Sequence, residues 1–335
     1  MSAEPNPALD LLVIRLSSFG DIVLAEPVAR ALKSRYPRSR LAFAVLRKYA
    51  GLPELFSSVD DVLAYDKQGS PSGSDPGGRA YDIAVDLQAN RHSRRMTRIL
   101  RPGRILRYRR PRLGRFFTVH FPRIWKGSQP HTIETYFRTL RPLGIGYSGE
   151  LPQVTPKGRE LTDARSLLGQ GPAVGICPGS SSEHKSWGDD RFARLVSILS
   201  ARHRVVLVGS EEDRPVIERI RHSLQGDRAR AYAGRDIGII AGLLAACSVT
   251  VTNDSGLMHL AGAVGSRPVA IFGPTSPLLG FAPAADGAVV LSLGLECSPC
   301  SYHGNKPCRL DRRYCMEGIT PERVASVVDG LMEEA

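Results

Sequence analysis

Three stretches of this chain share one build, an apolar β-rich run that enters a turn of small residues and then a helical pattern. They are Arg15-Leu-Ser-Ser-Phe-Gly-Asp21, Cys177-Pro-Gly-Ser-Ser-Ser-Glu-His-Lys-Ser-Trp187 and Thr252-Asn-Asp-Ser-Gly-Leu-Met-His259. Such a unit cannot bury its apolar faces alone, and repeated along a chain it yields parallel sheets covered by helices. In the first half the pattern predicts strands over 11–16, 41–46, 61–65 and 83–87, with a helix running from the first turn to about Arg35. Pro27 fits that helix only near its first turn, where N–H groups have no intrahelical acceptor. Residues 68–79, rich in Gly, Ser, Pro and Asp, read as a loop.

A Gly- and Pro-rich stretch over 142–156 is the predicted linker, and a helix at 158–168 leads into a second unit. There the rhythm restarts, with strands at 173–176, 204–208, 249–252 and 268–272. Helices are predicted at 190–201, 213–224, 237–246, 256–264 and 320–332. A length of 335 residues with 42% apolar content suits two buried cores. The expected organisation is therefore α/β: two Rossmann-like, doubly wound parallel-sheet domains over 1–155 and 156–320, facing across a cleft. A C-terminal helix over 321–335 could pack back on the first domain. Ligands of such sheets bind beyond the strand ends.

The longest uncharged apolar stretch, residues 237–251, is shorter than the ~20 residues a membrane-crossing helix needs. No cationic segment followed by an apolar one opens the chain, so a cytoplasmic location is expected. Charge is unevenly placed. Residues 1–165 hold 28 Lys and Arg against 15 Asp and Glu, whereas 166–335 hold 17 against 18. No acidic residue lies between Asp86 and Glu134, while residues 91–126 carry thirteen cations. Unpaired buried guanidinium groups cost several kcal/mol each, so such a run must face solvent or a polyanion. Nucleic acid, anionic lipid and phosphorylated glycan all fit, as does a merely solvated basic face.

The three small-residue turns are suited to an anion, because backbone N–H groups can approach it and a helix start adds about half a positive charge. Neither a P-loop nor a Gly-x-Gly-x-x-Gly motif occurs, which disfavours a simple kinase or a nicotinamide dehydrogenase. Single residues are ambiguous. Asp254 could be only a helix cap and Asp21 likewise. Lys185 beside Ser180, Ser181 and Ser182 can neutralise a phosphate or be an exposed loop lysine. His259 lies one turn after Ser255 and could be purely structural. Glu211 and Glu212 follow a strand, where a carboxylate can accept from a ribose diol or simply open a helix.

In combination these segments resemble the ADP-heptose:lipopolysaccharide heptosyltransferases of glycosyltransferase family 9. The matching stretches run from Leu12 to Pro27 (LVIRLSSFGDIVLAEP), from Tyr81 to Gln88 (YDIAVDLQ) and from Val174 to Ser180 (VGICPGS) with Lys185-Ser-Trp187. They continue from Asn253 to Ala263 (NDSGLMHLAGA) and through Phe272-Gly-Pro-Thr275. The resemblance implies a GT-B fold and inverting transfer of heptose from ADP-heptose to the lipopolysaccharide inner core. It implies Asp21 as the base that takes the acceptor hydroxyl proton. Ser180, Lys185, Glu211, Glu212, Asp254, Ser255, Gly256 and His259 are the donor-site candidates. Ser18, Gly20, Gln88, Asn90, Arg91 and Arg94 are candidates for acceptor contacts, with Asp86 beside them. No Asp-x-Asp triplet occurs, so lysine and helix dipoles are expected to replace a divalent metal, with no cofactor required for catalysis. The basic run then suits an anionic acceptor and the inner face of the inner membrane, to which peripheral attachment is expected.

Cys297, Cys300, Cys308 and Cys315 form a Cys-x2-Cys-x7-Cys-x6-Cys cluster. It could hold zinc or an iron–sulfur cluster, remain as free thiols, or form disulfides. Cys177 and Cys247 are expected to be simply buried. Two other functions compete. A basic nucleic-acid-binding protein would leave the three turns unexplained and lacks interleaved aromatics, so no nucleic acid is expected. A GT-B protein with another donor, or an epimerase, would keep the fold and change the chemistry.

Overall fold

A computed structural model of the chain describes residues 8–66, 80–121, 127–169, 171–224, 226 and 228–334. The loop predicted at 68–79 lies outside the described residues, as do Arg123 and Lys126. Two compact units are present, one of residues up to 111 together with 132–155, the other of 112–131 with the chain from 156 onward.

In the first unit β1 (Asp10–Ile14) leads through α1 (Phe19–Val23) and α2 (Glu26–Arg35) to β2 (Arg40–Leu46), then β3 (Asp61–Tyr65) and β4 (Ile83–Asp86). After β4 come α3 (Arg91–Leu100) and β5 (Arg104–Arg107). The next helix, α4 (Arg112–His120), belongs to the second unit, and α5 (Thr132–Phe137) returns to the first. All five strands are parallel in the order β3-β2-β1-β4-β5. Central β1 sets Leu12 opposite both Ala42 and Ala84, and Leu11 to Ile14 are fully buried. Burial on both faces is why this strand reads as an unbroken apolar run.

The single helix expected to Arg35 is instead two. Pro27 sits in the first turn of α2. Without an N–H, and with a ring that excludes the carbonyl four residues earlier, it cannot continue α1 but can start a new helix.

The second unit continues with α6 (Gly158–Leu168), β6 (Ala173–Cys177), α7 (Asp189–Leu199), β7 (Arg204–Ser210), α8 (Arg214–Ser223) and β8 (Arg230–Gly234). It is completed by α9 (Ile237–Ala245), β9 (Cys247–Asn253), α10 (Gly256–Ala263), β10 (Arg267–Ile271), β11 (Val289–Leu291), α11 (Tyr314–Glu317) and α12 (Pro321–Glu333). Its six parallel strands are ordered β11-β10-β9-β6-β7-β8. The core joins Trp187, Phe192 and Val196 to Ile217, Val251 and Ile271. α12 belongs to this unit and packs Val324, Ala325 and Val328 into that core.

Trp187 is fully buried, and its indole N–H donates to the Ile319 carbonyl at 2.9 Å. Trp187→Ala therefore removes a large core side chain and orphans a carbonyl. It should cost about 3–5 kcal/mol in urea unfolding, with secondary structure retained.

Candidate active site

An open parallel sheet binds ligands where its strand order reverses, because the loops leaving the two flanking strands part there and open a crevice. The first sheet reverses between β1 and β4, the second between β6 and β9. The motif-bearing turns follow β1, β6 and β9, and so flank these two points.

At the end of β1 the Arg15 guanidinium is buried and bridges two loops. One nitrogen donates to the Leu87 carbonyl at 2.7 Å, and another lies 2.7 Å from Asp21 Oδ2. The same Oδ2 accepts from the Ser18 hydroxyl at 2.7 Å and the Ser18 N–H at 3.2 Å. Among the described residues Oδ1 receives only the Tyr136 hydroxyl, at 3.2 Å. Burial pushes the Asp21 carboxyl up, but the Arg15 charge and the Ser18 hydrogen bonds outweigh it and hold the group below its ordinary value. Asp21 therefore closes the first helical turn and also presents one weakly bonded carboxylate oxygen.

The loop after β4 is locked onto this turn. Gln88 Oε1 accepts from the Leu16 and Ser17 N–H groups at 3.1 and 3.2 Å, and Arg110 donates to the Gln88 carbonyl at 2.9 Å. Asn90 caps α3 by accepting from the Ser93 N–H at 3.0 Å. Asp86 is buried below, accepting from the Ser93 hydroxyl at 3.0 Å and lying 3.3 Å from Arg107 Nε. Gly20 is buried in the turn, whereas Arg91 and Arg94 are exposed on the first turn of α3. The predicted acceptor residues thus divide into braces (Gln88, Asn90, Asp86) and exposed cations.

In the second unit Lys185 is buried and its ammonium lies 2.8 Å from Asp254 Oδ2, which also accepts from the Thr275 hydroxyl at 2.6 Å. Lys185 is therefore not an exposed loop residue, and Asp254 is not the cap. Ser255 occupies the cap position of α10, its hydroxyl 3.2 Å from that of Thr252. Asn253 ties the two loops together. Its amide donates to the Pro178 and Gly179 carbonyls at 2.7 and 3.2 Å, and its Oδ1 accepts from the Trp187 N–H at 3.1 Å. The Ser180 hydroxyl donates to the Ser182 carbonyl at 2.7 Å, and His259 is buried behind the turn. After β7, Glu211 is bound bidentately by Arg214 at 2.7 and 2.8 Å, while Glu212 is exposed.

The cysteine-rich strap braces this half-site. The Ser182 hydroxyl donates to the Gly304 carbonyl at 2.7 Å, Arg313 donates to the Glu183 and Ser186 carbonyls, and Cys300 N–H donates to the Pro274 carbonyl. Gly304 must be glycine, since its φ is +64° and a Cβ would strike the Lys185 side chain. Cys297, Cys300, Cys308 and Cys315 line one cavity of about 470 Å³ together with His184. All four are free thiols, and among the described residues no three ligating side chains are placed to hold a metal ion. Burial and the neighbouring thiols push Cys315 up to about 11, which keeps it protonated near neutrality. Cys177, the last residue of β6, and Cys247, the first of β9, are buried.

Four side chains that complete these clusters were not singled out from the sequence. Arg15 carried a signal, a lone charge closing an apolar strand. Thr275 lay within a quoted motif, as did Asn253. Tyr136 reaches Asp21 across 115 positions and left no local mark.

Comparison with known proteins gives a consistent result. The family model for glycosyltransferase family 9 (heptosyltransferase) matches residues 77–310. Lipopolysaccharide heptosyltransferase 2 of Salmonella typhimurium is 26% identical over 97% of this chain and 99% of its own. Lipooligosaccharide heptosyltransferase 2 of Haemophilus influenzae is 38% identical over a shorter match, 38% of each chain. In fold, the chain is similar to the ADP-heptose LPS heptosyltransferase II of E. coli, with a TM-score of 0.75 at 23% identity over 98% of this chain and 100% of that one. It is also similar to a family 9 glycosyltransferase of Veillonella parvula, with a TM-score of 0.79 at 18% identity over 98% of each. Two doubly wound sheets of GT-B type, motif turns at both points of strand reversal and a family match across most of the length place this chain in glycosyltransferase family 9, the heptosyltransferases.

Proposed function

We propose that the chain moves a heptose from ADP-heptose to a sugar hydroxyl of the lipopolysaccharide inner core, with inversion at the anomeric carbon. The observation that carries this reading is Asp21, a carboxylate held in its ionised form by Arg15 and Ser18, whose other oxygen meets, among the described residues, a single neutral donor. We assign the acceptor to the first unit and the nucleotide sugar to the second.

The acceptor hydroxyl approaches Asp21 Oδ1. As its oxygen bonds to the anomeric carbon, its proton passes to the carboxylate and the bond to ADP breaks, the electron pair leaving with the diphosphate. Lys185, the Ser180 hydroxyl and the N–H groups of Ser255 and Gly256 at the start of α10 are assigned to that growing charge. Asp254 keeps Lys185 in position and His259 backs the turn. Glu211 or Glu212 is assigned to the ribose diol. Ser18 and Gly20 shape the base's turn, Gln88 and Asn90 act through the braced loop, and Arg91 and Arg94 meet acceptor phosphates. A low pKa makes Asp21 a weak base, yet it is ionised whenever substrate arrives, and the hydroxyl turns acidic only as its new bond forms.

The thirteen cations over 91–126 support attachment to the anionic inner face of the inner membrane, where such an acceptor is held. Among the described residues no helix is long and apolar enough to cross a membrane. A zinc ion or iron–sulfur cluster on Cys297, Cys300, Cys308 and Cys315 would require the thiols to close in from the cavity wall. No step of the proposed chemistry runs through it.

Asp21→Asn should lower turnover by about 10²–10⁴-fold while ADP still raises the melting temperature as in wild type. An unchanged rate, or ADP release without acceptor, would overturn the assignment. Lys185→Met should lower kcat by about 10²–10³-fold and weaken the ADP-induced thermal shift. The pH dependence has a definite sign. Because Asp21 is held below its ordinary value, the base form survives into acid and is lost only as pH falls through that depressed value. Arg15→Met removes the opposing charge and leaves the burial, so the acidic limb of kcat/KM should move to higher pH. A limb that stays in place would show that Asp21 is not the titrating base.

A further inference from the structure

Amphipathic helices normally turn their apolar stripe inward. α4 does the reverse. Leu113, Phe116, Phe117, His120 and Phe121 follow the i, i+3, i+4, i+7, i+8 spacing of one helical face, and that face is exposed. Leu113 is 78% exposed, and Phe116 and Phe121 are each 44% exposed. Thr118 and Val119, on the opposite side, are buried. Docking is by the side that carries Thr118 and Val119. Gln129 donates to the Thr118 hydroxyl at 3.3 Å, its own N–H donates to the Leu278 carbonyl at 2.9 Å, and Arg115 covers the Phe281 ring at 4.6 Å. Gly114 lets Gln129 approach, since a Cβ there would collide with its amide.

The outward rings form one patch. Phe116 lies 5.7 Å from Phe117, 6.3 Å from Phe121 and 4.3 Å from His120, stacked on the last. Aromatic groups held together at a surface mark an interaction site. The charge of the surrounding sequence selects the partner, for no acidic residue occurs from 87 to 133. A second copy of this chain would bring an equally basic segment against the patch. An anionic phospholipid bilayer instead satisfies both features, taking the rings at the acyl boundary and the cations at the headgroups.

We infer that α4 is an interfacial anchor, with Leu113, Phe116 and Phe121 inserted into the headgroup–acyl boundary of an anionic phospholipid leaflet. This rests on the lipid-linked acceptor read above and adds an apolar, salt-resistant component to attachment by charge. Anchoring of this kind confines the protein to the plane in which a membrane-held acceptor diffuses.

The test uses the full chain and Leu113→Ser/Phe116→Ser, both exposed positions outside the proposed catalytic groups. Co-sedimentation is measured with phosphatidylglycerol/phosphatidylethanolamine vesicles and with pure phosphatidylcholine vesicles, at low and high salt. Transfer to a deacylated, water-soluble core acceptor is assayed alongside, with melting temperature as the control for folding. The expected result is wild-type binding to anionic vesicles that persists in part at high salt, and at least a tenfold lower bound fraction for the double variant. Transfer to the soluble acceptor should be equal for the two proteins. Equal vesicle binding by both would overturn the inference, leaving charge alone as the cause. So would a wild-type dimer that the double variant dissolves, since the patch would then serve a second copy. Failure of wild type to use the soluble acceptor, with the binding difference intact, would strike the transferase reading and not the anchor.

Discussion

A guanidinium buried at the end of a parallel strand must find partners or destabilise the fold by several kcal/mol. Arg15 meets that demand by reaching both loops of the strand-order reversal, the Leu87 carbonyl on one side and Asp21 on the other. Its position is fixed by β1, whose Leu11 to Ile14 are locked in the sheet core. The apolar strand, the buried cation and the oriented carboxylate thus form one chain of cause. Gln88 doubles the link by accepting two N–H groups from the turn after β1, so the turn that carries Asp21 is held from the neighbouring loop as well as from its own strand.

The second unit meets the same geometric opportunity with different chemistry. Lys185 and Asp254 also come from the two loops at a reversal, and Asn253 is the brace that corresponds to Gln88. An ammonium on a flexible stem suits a charge that must adapt to a diphosphate, whereas a planar guanidinium suits one that must stay still and hold a carboxylate. Under the proposed assignment the cation at each reversal matches what it would face, a rigid one beside the carboxylate of Asp21 and an adjustable one where the diphosphate would leave.

The apolar strands and the small-residue turns were legible in the sequence because buried parallel strands must be continuous in hydrophobicity. Three strands were not. β5 has the sequence RILR and buries only Leu106, while β8 and β11 stand at the edges of the second sheet. An edge strand need cover only part of each face, so its pattern is too short and polar to stand out. The candidate site was legible where its clusters are built from local motifs, as at Asp21, Lys185 and Asp254. Tyr136 was not, because its contact with Asp21 is made by the packing of α5 and by nothing in its own neighbourhood. Glu211 shows the converse, a strand-end carboxylate whose observed partner is Arg214 in the next turn of chain.

α4 exposes a different limit of periodicity. Spacing reveals that a helix has an apolar face but not which way the face is turned, because the same stripe can be buried by the protein or by something else. At α7 and α12 the protein itself supplies the cover, taking Phe192, Val196, Val324 and Val328 into its core. At α4 the buried side is chosen by Gln129, which bonds Thr118 and pins itself to the Leu278 carbonyl, so polar contacts overrule the hydrophobic preference. A helix held by the side of Thr118 and Val119 keeps its aromatic side available, and in a segment of uniformly positive charge an anionic lipid surface is the environment that removes those rings from water without repulsion.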